Sequence, residues 1–252
     1  MSDNLTRLSV NINKIATLRN ARGGDTPNVC LAAKYCQEYG AQGITIHPRP
    51  DGRHIKYEDA RMLKEIVTTE FNIEGYPDRP FIDLVLECKP DQVTLVPDGP
   101  EVITSNCGWD TVSNSEFLGE ILKEFRDNGI RTSIFIECDK LKIESAAKIG
   151  ADRIELYTEN YAKQFLINKE KAIEPYVRAS EIALNNGLGV NAGHDLNLDN
   201  LEFFARYVNG LQEVSIGHAL ISDSLYLGLE NTVQQYLYQL ELAKLEQLKN
   251  TL

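Results

Sequence analysis

Eight short β-favouring runs alternate along the chain with segments of helical spacing, and this alternation constrains the fold more than any other feature. The runs are LSVNIN (Leu8 to Asn13), GITIHP (Gly43 to Pro48), FNIEG (Phe71 to Gly75), QVTLVP (Gln92 to Pro97), RTSIFIE (Arg131 to Glu137), RIELYT (Arg153 to Thr158), LGVNAG (Leu188 to Gly193) and EVSIGH (Glu213 to His218). Between them, Val29, Ala32, Ala33, Cys36 and Tyr39 fall on one helical face ahead of Gly40, and Phe117, Ile121, Leu122 and Phe125 do the same ahead of Gly129. Strands that alternate with helices pair in parallel through right-handed crossovers. Eight such units in 252 residues predict an α/β fold of one kind, a closed (β/α)₈ TIM barrel with extra helices, forming a single domain over 1–252. Ser113 to Gly129 is longer than one crossover needs, which places an extra helix there; the tail from Thr232 reads as one long terminal helix, a candidate to pack on a neighbouring subunit.

Charge and cysteine usage narrow the setting. A formal net charge of -11 is the wrong balance for a general nucleic-acid binder. No apolar run approaches the ~18 residues of a membrane span, and the first residues lack the basic-then-apolar pattern of a signal peptide. Five cysteines, with no CxxC pair, fit reduced thiols better than a disulfide framework. The expectation is a cytoplasmic protein with no nucleic-acid or membrane partner.

In such barrels the catalytic groups project from the C-terminal ends of the strands. Here those ends carry Asn11 and Asn13 followed by Lys14, Arg19 and Arg22, then His47 and Arg49 with Arg53 and His54 beyond, then Glu74, Glu137, Glu155 with Tyr157, Asn191 with His194, and Gly217 with His218. All four histidines of the chain fall in this set, which points to a clustered acid–base site. A lone histidine at a strand end is often a hydrogen-bonded cap, and Glu137 and Glu155 have a structural reading as partners of Arg131 and Arg153. Glu74 is different: FNIEG sends one carboxylate from an apolar strand into the barrel mouth.

An anionic substrate accounts for the rest. HPRPDGRHI is basic on an acidic chain, NARGG (Asn20 to Gly24) is a glycine-containing basic loop, and Gly193 and Gly217 leave the two strands after which barrels commonly hold phosphate. A metal centre competes for the same His and Glu residues, but there is no HxH or HExxH spacing and no Asp- or Cys-rich cluster, so no metal is expected. Schiff-base chemistry needs a lysine at a strand end, and only Lys14 is near one. The residues read as a clustered acid–base site for a phosphorylated substrate, which a phosphosugar isomerase or epimerase using Glu74 and a histidine, or a non-catalytic phosphometabolite sensor, would also fit.

SVNINKIATLRNARGG, GITIHPRPDGRHI, FNIEG, VTLVPD followed by TSNCGWDT, IELYT, VNAGHDLNL and SIGHAL, in that order and spanning nearly the whole chain, resemble the pyridoxine 5′-phosphate synthase family. The resemblance implies condensation of 3-amino-2-oxopropyl phosphate with 1-deoxy-D-xylulose 5-phosphate to give pyridoxine 5′-phosphate, phosphate and water. It further implies a barrel with extra helices, a homo-octamer, and neither metal nor organic cofactor. By motif it makes His47 and Glu74 proton acceptors, His194 the proton donor and Glu155 a transition-state stabiliser. It assigns substrate contacts to Asn11, Arg22, Arg49, His54, Thr104, Asp195, Gly217 and His218. Two departures stand out. Asn13-Lys14 replaces an Asp-His pair of many members, both of which contact the deoxyxylulose phosphate there. Asp195 replaces a glycine, a change that a backbone N–H contact would survive.

Overall fold

The computed structural model describes residues 5–97 and 107–249. In chain order the elements are β1 (Arg7–Asn11), α1 (Asn13–Arg22), α2 (Val29–Glu38), β2 (Gly43–Ile46), α3 (Tyr57–Lys64), β3 (Glu70–Gly75), α4 (Arg79–Cys88), β4 (Gln92–Leu95), α5 (Ser115–Asp127), β5 (Arg131–Ile136), α6 (Lys140–Lys148), β6 (Arg153–Tyr157), α7 (Glu159–Phe165), α8 (Lys169–Asn185), β7 (Gly189–Gly193), α9 (Leu201–Tyr207), β8 (Leu211–Ile216), α10 (His218–Leu227) and α11 (Leu229–Lys249). Each strand pairs in parallel with the next, and β8 pairs with β1, so the sheet closes as an eight-stranded (β/α)₈ barrel.

Every strand alternates. Leu8, Val10, Ile44, Ile46, Ile73, Val93, Leu95, Ile134, Ile154, Val190 and Val214 belong to the large apolar core under the helices. The residues between them are polar and buried inside the barrel. Ser9 and Thr45 hydroxyls lie 2.7 Å apart, Asn72 donates to Thr45 at 3.3 Å, and Thr94 donates to Asn72 at 3.1 Å. Barrels more often fill this space with layers of Val, Ile and Leu; here hydrogen bonds link part of it, while Ser133 Oγ and Glu155 Oε2 have no protein partner.

The extra helices are not where spacing predicted. From Ser113 to Gly129 there is one helix, α5, and its buried face is Leu118, Ile121, Leu122 and Phe125; Phe117 is exposed and leans towards the Trp109 ring. The additions instead follow β1, β6 and β8 as the pairs α1–α2, α7–α8 and α10–α11. NARGG is also not a loop throughout, since α1 runs to Arg22 before Gly23 and Gly24 turn the chain with positive φ. Helix α11 packs on α9, α10 and α2 of its own chain, burying Val233, Tyr236, Leu240 and Ala243.

Candidate active site

All eight strands or the turns after them deliver side chains to one cavity of about 540 Å³ at the C-terminal mouth. Asn11, Asn13, Lys14, His47, Arg49, His54, Glu74, Glu155, His194, Asp195, Gly217 and His218 all line it, as does Arg53. The gathering follows from strand period: Asn11, Glu74 and Glu155 are inward positions of β1, β3 and β6, and His47 directly follows β2.

The first cluster is built around Glu74. Asn11 Nδ2 donates to Glu74 Oε1 at 2.9 Å, and His47 Nδ1 lies 3.7 Å from the same oxygen. Asn13 is not a strand-end residue; it opens α1, and its Oδ1 accepts the His47 backbone N–H at 2.8 Å. Burial, then the neighbouring His54 and Arg49, hold the His47 imidazole well below its ordinary range, so it is neutral at pH 7. The His47 and His54 rings meet edge to face at 5.6 Å, and burial, with Arg49 and Lys14 nearby, pulls His54 down to about 4.

The basic loop between β2 and α3 is held from below. Arg19 forms a two-pronged ion pair with Asp59, at 2.6 and 2.8 Å, and both side chains are buried. Arg19 Nη2 also donates to the His54 carbonyl, and Asn20 Nδ2 donates to the carbonyls of Gly52 and His54 at 3.0 and 2.8 Å. Arg19 and Asn20 therefore shape the anion loop without facing the cavity. Arg22, expected at the site, ends α1 exposed and outside the cavity lining. Thr104 lies outside the described residues.

Glu155 is buried against Gly193, and its Oε2 has no protein hydrogen-bond partner. Burial, then the neighbouring Glu74, raises its carboxyl well above the ordinary range. Glu137 takes no part: it pairs with Lys142 at 2.6 Å outside the cavity.

His194 sits at φ 95, a left-handed conformation that costs a side chain other than glycine. Its Nδ1 is 2.5 Å from Asp195 Oδ2, and its ring is held by Tyr157, edge to face at 5.1 Å, and by Phe135 at 6.5 Å. Burial pulls the imidazole down, but the Asp195 hydrogen bond and charge, with Glu74 and Glu159, outweigh it and leave the pKa raised. The Asp195 amide does not project to the mouth as the glycine comparison suggested; it donates to Thr158 Oγ1 at 3.1 Å. Helix α10 begins at the cavity rim with Gly217 as N-cap and His218 as its first residue, and an added Cβ on Gly217 would press Asn11 at 3.1 Å. Sequence reasoning missed Thr17, Val96, Phe135 and Ser215 as lining residues; only the inward period of β5 and β8 could have flagged the last two.

A closed parallel barrel with carboxyls, imidazoles and arginines gathered at the C-terminal ends of its strands defines a (β/α)₈ enzyme working by acid–base chemistry. The chain matches the family model for pyridoxal phosphate biosynthesis protein PdxJ over residues 8–242, and it belongs to that family. It is 62% identical over 237 residues to a pyridoxine 5′-phosphate synthase of Flavobacterium johnsoniae, covering 94% of this chain and 100% of that one. The same-named protein of Bacteroides thetaiotaomicron is 60% identical over 232 residues, covering 92% and 98%. The fold is shared more widely. A thiamine phosphate pyrophosphorylase from Pyrococcus furiosus superposes with TM-score 0.62 at 16% identity, covering 95% of this chain and 96% of that one. A tryptophan synthase from M. tuberculosis superposes with TM-score 0.64 at 11% identity, covering 94% of each. Among the described residues no helix is long and apolar enough to cross a membrane, and no group of three or more His, Cys, Asp and Glu is placed to hold a metal ion.

Proposed function

We propose that the protein condenses 3-amino-2-oxopropyl phosphate with 1-deoxy-D-xylulose 5-phosphate, releasing pyridoxine 5′-phosphate, phosphate and water, and that it does so through His47, Glu74, Glu155 and His194. The observation that carries the division of labour is the contrast in the surroundings of the two histidines at one mouth: His47 is buried against His54, and His194 Nδ1 lies 2.5 Å from Asp195 Oδ2. His47, whose imidazole burial holds low, is fit to accept a proton, and His194, whose pKa the Asp195 hydrogen bond and charge raise, is fit to give one. Ring closure needs both, because imine formation, dehydration and phosphate elimination move protons on and off the intermediate in turn. Glu74, held between Asn11 and His47, is the second acceptor. Glu155, its carboxyl raised by burial and its Oε2 without a protein partner, is placed to hydrogen-bond oxygen that becomes negative in the transition state, in a buried setting where such a bond is strong.

Lys14, Arg49, Arg53 and the start of α10 supply positive charge and N–H groups for two phosphate esters on a chain of net charge -11. Asn13, His54 and His218 complete the polar lining that would orient the sugar hydroxyls. We further propose that the single barrel domain works in the cytoplasm as a homo-oligomer, an octamer as the family resemblance implies. Supporting association, Leu225 and Tyr226 at the end of α10 are 72% and 89% exposed, a large apolar surface for a monomer to leave in water. Incubation with both substrates should yield a pyridoxine chromophore and one phosphate per ring. Turnover of either substrate alone would point to an isomerase and refute the reading.

A further inference from the structure

A second cavity, about 770 Å³, lies not at the catalytic mouth but at the opposite end of the barrel. Arg7, Arg131 and Arg153 are the first residues of β1, β5 and β6, and their side chains line it together with Lys244 from α11. Strands of five or six residues separate this end from the mouth by about 15–20 Å.

Its electrostatics are lopsided. Four cationic side chains line the cavity, and among the described lining residues there is no carboxylate. Behind the arginines stands Glu70, buried, which pairs with Arg7 at 2.5 Å, with Arg131, and with Arg153 at 3.7 Å. One carboxylate thus serves three guanidinium groups. Glu213, the other acid near them, is pushed up to about 8 by burial and by Glu70, so Glu70 is their main counter-charge. Arg153 is buried, yet its other acceptors are neutral and distant: Gln92 at 3.3 Å and Asn191 at 3.4 Å. Burial and the neighbouring Arg131 pull it down to about 10, the mark of a cation short of compensation.

We propose that this N-terminal cavity is a second ligand site, one that binds a small phosphate ester with an apolar body. A phosphate dianion would bring to the arginines and Lys244 the charge that Glu70 alone does not supply, and guanidinium forks are suited to its oxygens. The opposite wall is apolar, with Leu184, Val208 and Leu240, so the ligand's carbon portion is sheltered there. The volume is that of a metabolite site, larger than one ion needs.

Phenyl phosphate is the probe, titrated calorimetrically into the full-length protein and into variants at each end of the barrel. Arg7→Gln/Lys244→Gln should bind one fewer phenyl phosphate than the parent and should turn over both substrates at the parental rate, since neither residue touches the catalytic mouth. Arg49→Ala, at the mouth, should keep the site that the double variant loses. Lys244→Gln alone leaves every arginine pair intact, so it keeps the test valid should the double variant fold poorly; it should weaken the site by roughly fivefold or more. Equal stoichiometry and affinity in the parent and the Lys244→Gln protein would overturn the proposal, as would loss of all phenyl phosphate binding in Arg49→Ala.

Discussion

Gly193→Ala is a one-methyl perturbation whose consequence can be read from the packing of β6 against β7. A Cβ built on Gly193 overlaps Glu155 Oε1 and lies 3.2 Å from both Glu155 Cδ and the Ser215 carbonyl oxygen. Ordinary contacts need about 3.5–4.0 Å, so the carboxyl must retreat by about 1 Å. It has little room to do so, because Glu155 is only 3% exposed. Overpacking of this kind costs about 1–3 kcal/mol of stability, and a 1 Å misplacement of a catalytic group costs on the order of 10²-fold in rate. Urea denaturation followed by tyrosine and tryptophan fluorescence gives the first quantity, and pyridoxine formation gives the second. Glu155→Asp withdraws the carboxyl by one methylene. The double variant Gly193→Ala/Glu155→Asp should therefore recover most of the stability lost by Gly193→Ala, with turnover no better than that of Glu155→Asp alone. A Gly193→Ala protein with parental stability and parental turnover would refute the contact, and additive effects in the double variant would refute its assignment to Glu155.

Asp195→Asn removes the charge that raises His194, so the alkaline limb of the kcat profile should move to lower pH while the acid limb stays; an unmoved alkaline limb would take the donor role away from His194. Glu74→Gln and His194→Ala should each lower turnover by about 10²–10⁴-fold with little change in substrate affinity, and rapid-quench analysis should show different stalled species, because one loses an acceptor and the other a donor. For Glu213 the folded carboxyl titrates at about 8 against 4.5 unfolded, so its contribution is intact below pH 4.5 and is lost as pH rises to 8; Glu213→Gln should gain on the parent by a few kcal/mol across that window in urea melts. Arg19→Ala leaves Asp59 buried without its guanidinium partner and should cost about 3–5 kcal/mol, and Arg19→Ala/Asp59→Ala should cost less than the single change.

The barrel was legible because strand period and helix period leave different marks, and all eight strands fall within two residues of the runs that predict them. The mouth was legible for the same reason: Asn11, Glu74 and Glu155 are strand positions, so period fixes which way they point. Residues beyond the strands were harder. Arg22 follows β1 in sequence, but its fate depends on α1, whose weakly amphipathic NKIATLRNAR gave no helical signal to separate it from a loop. Arg19 was visible only as one more cation near a strand end; its pairing with Asp59 joins residues forty positions apart, which spacing cannot announce. The Asp195 side chain was passed over because attention went to its backbone amide, and only the positive φ of His194 turns the carboxylate onto the ring. At the N-terminal end, Arg131 and Arg153 read as partners for Glu137 and Glu155, whereas the structure pairs both with Glu70, and Arg7 carried no signal.

The polar filling of the barrel also bears on how the chain finds its register. In a barrel packed with aliphatic side chains on both faces of the sheet, a strand that slips by one residue exchanges one greasy surface for another and loses little. Here a slip of β6 would carry Arg153 and Glu155 into the layer that Ile154 and Leu156 occupy beneath the helices, and would leave those aliphatic groups facing Gln92 and Asn191. Each misplaced ion or unpartnered amide costs several kcal/mol, so mispaired sheets are penalised as they form. The residues that equip the mouth for chemistry thereby proofread the assembly of the strands that carry them.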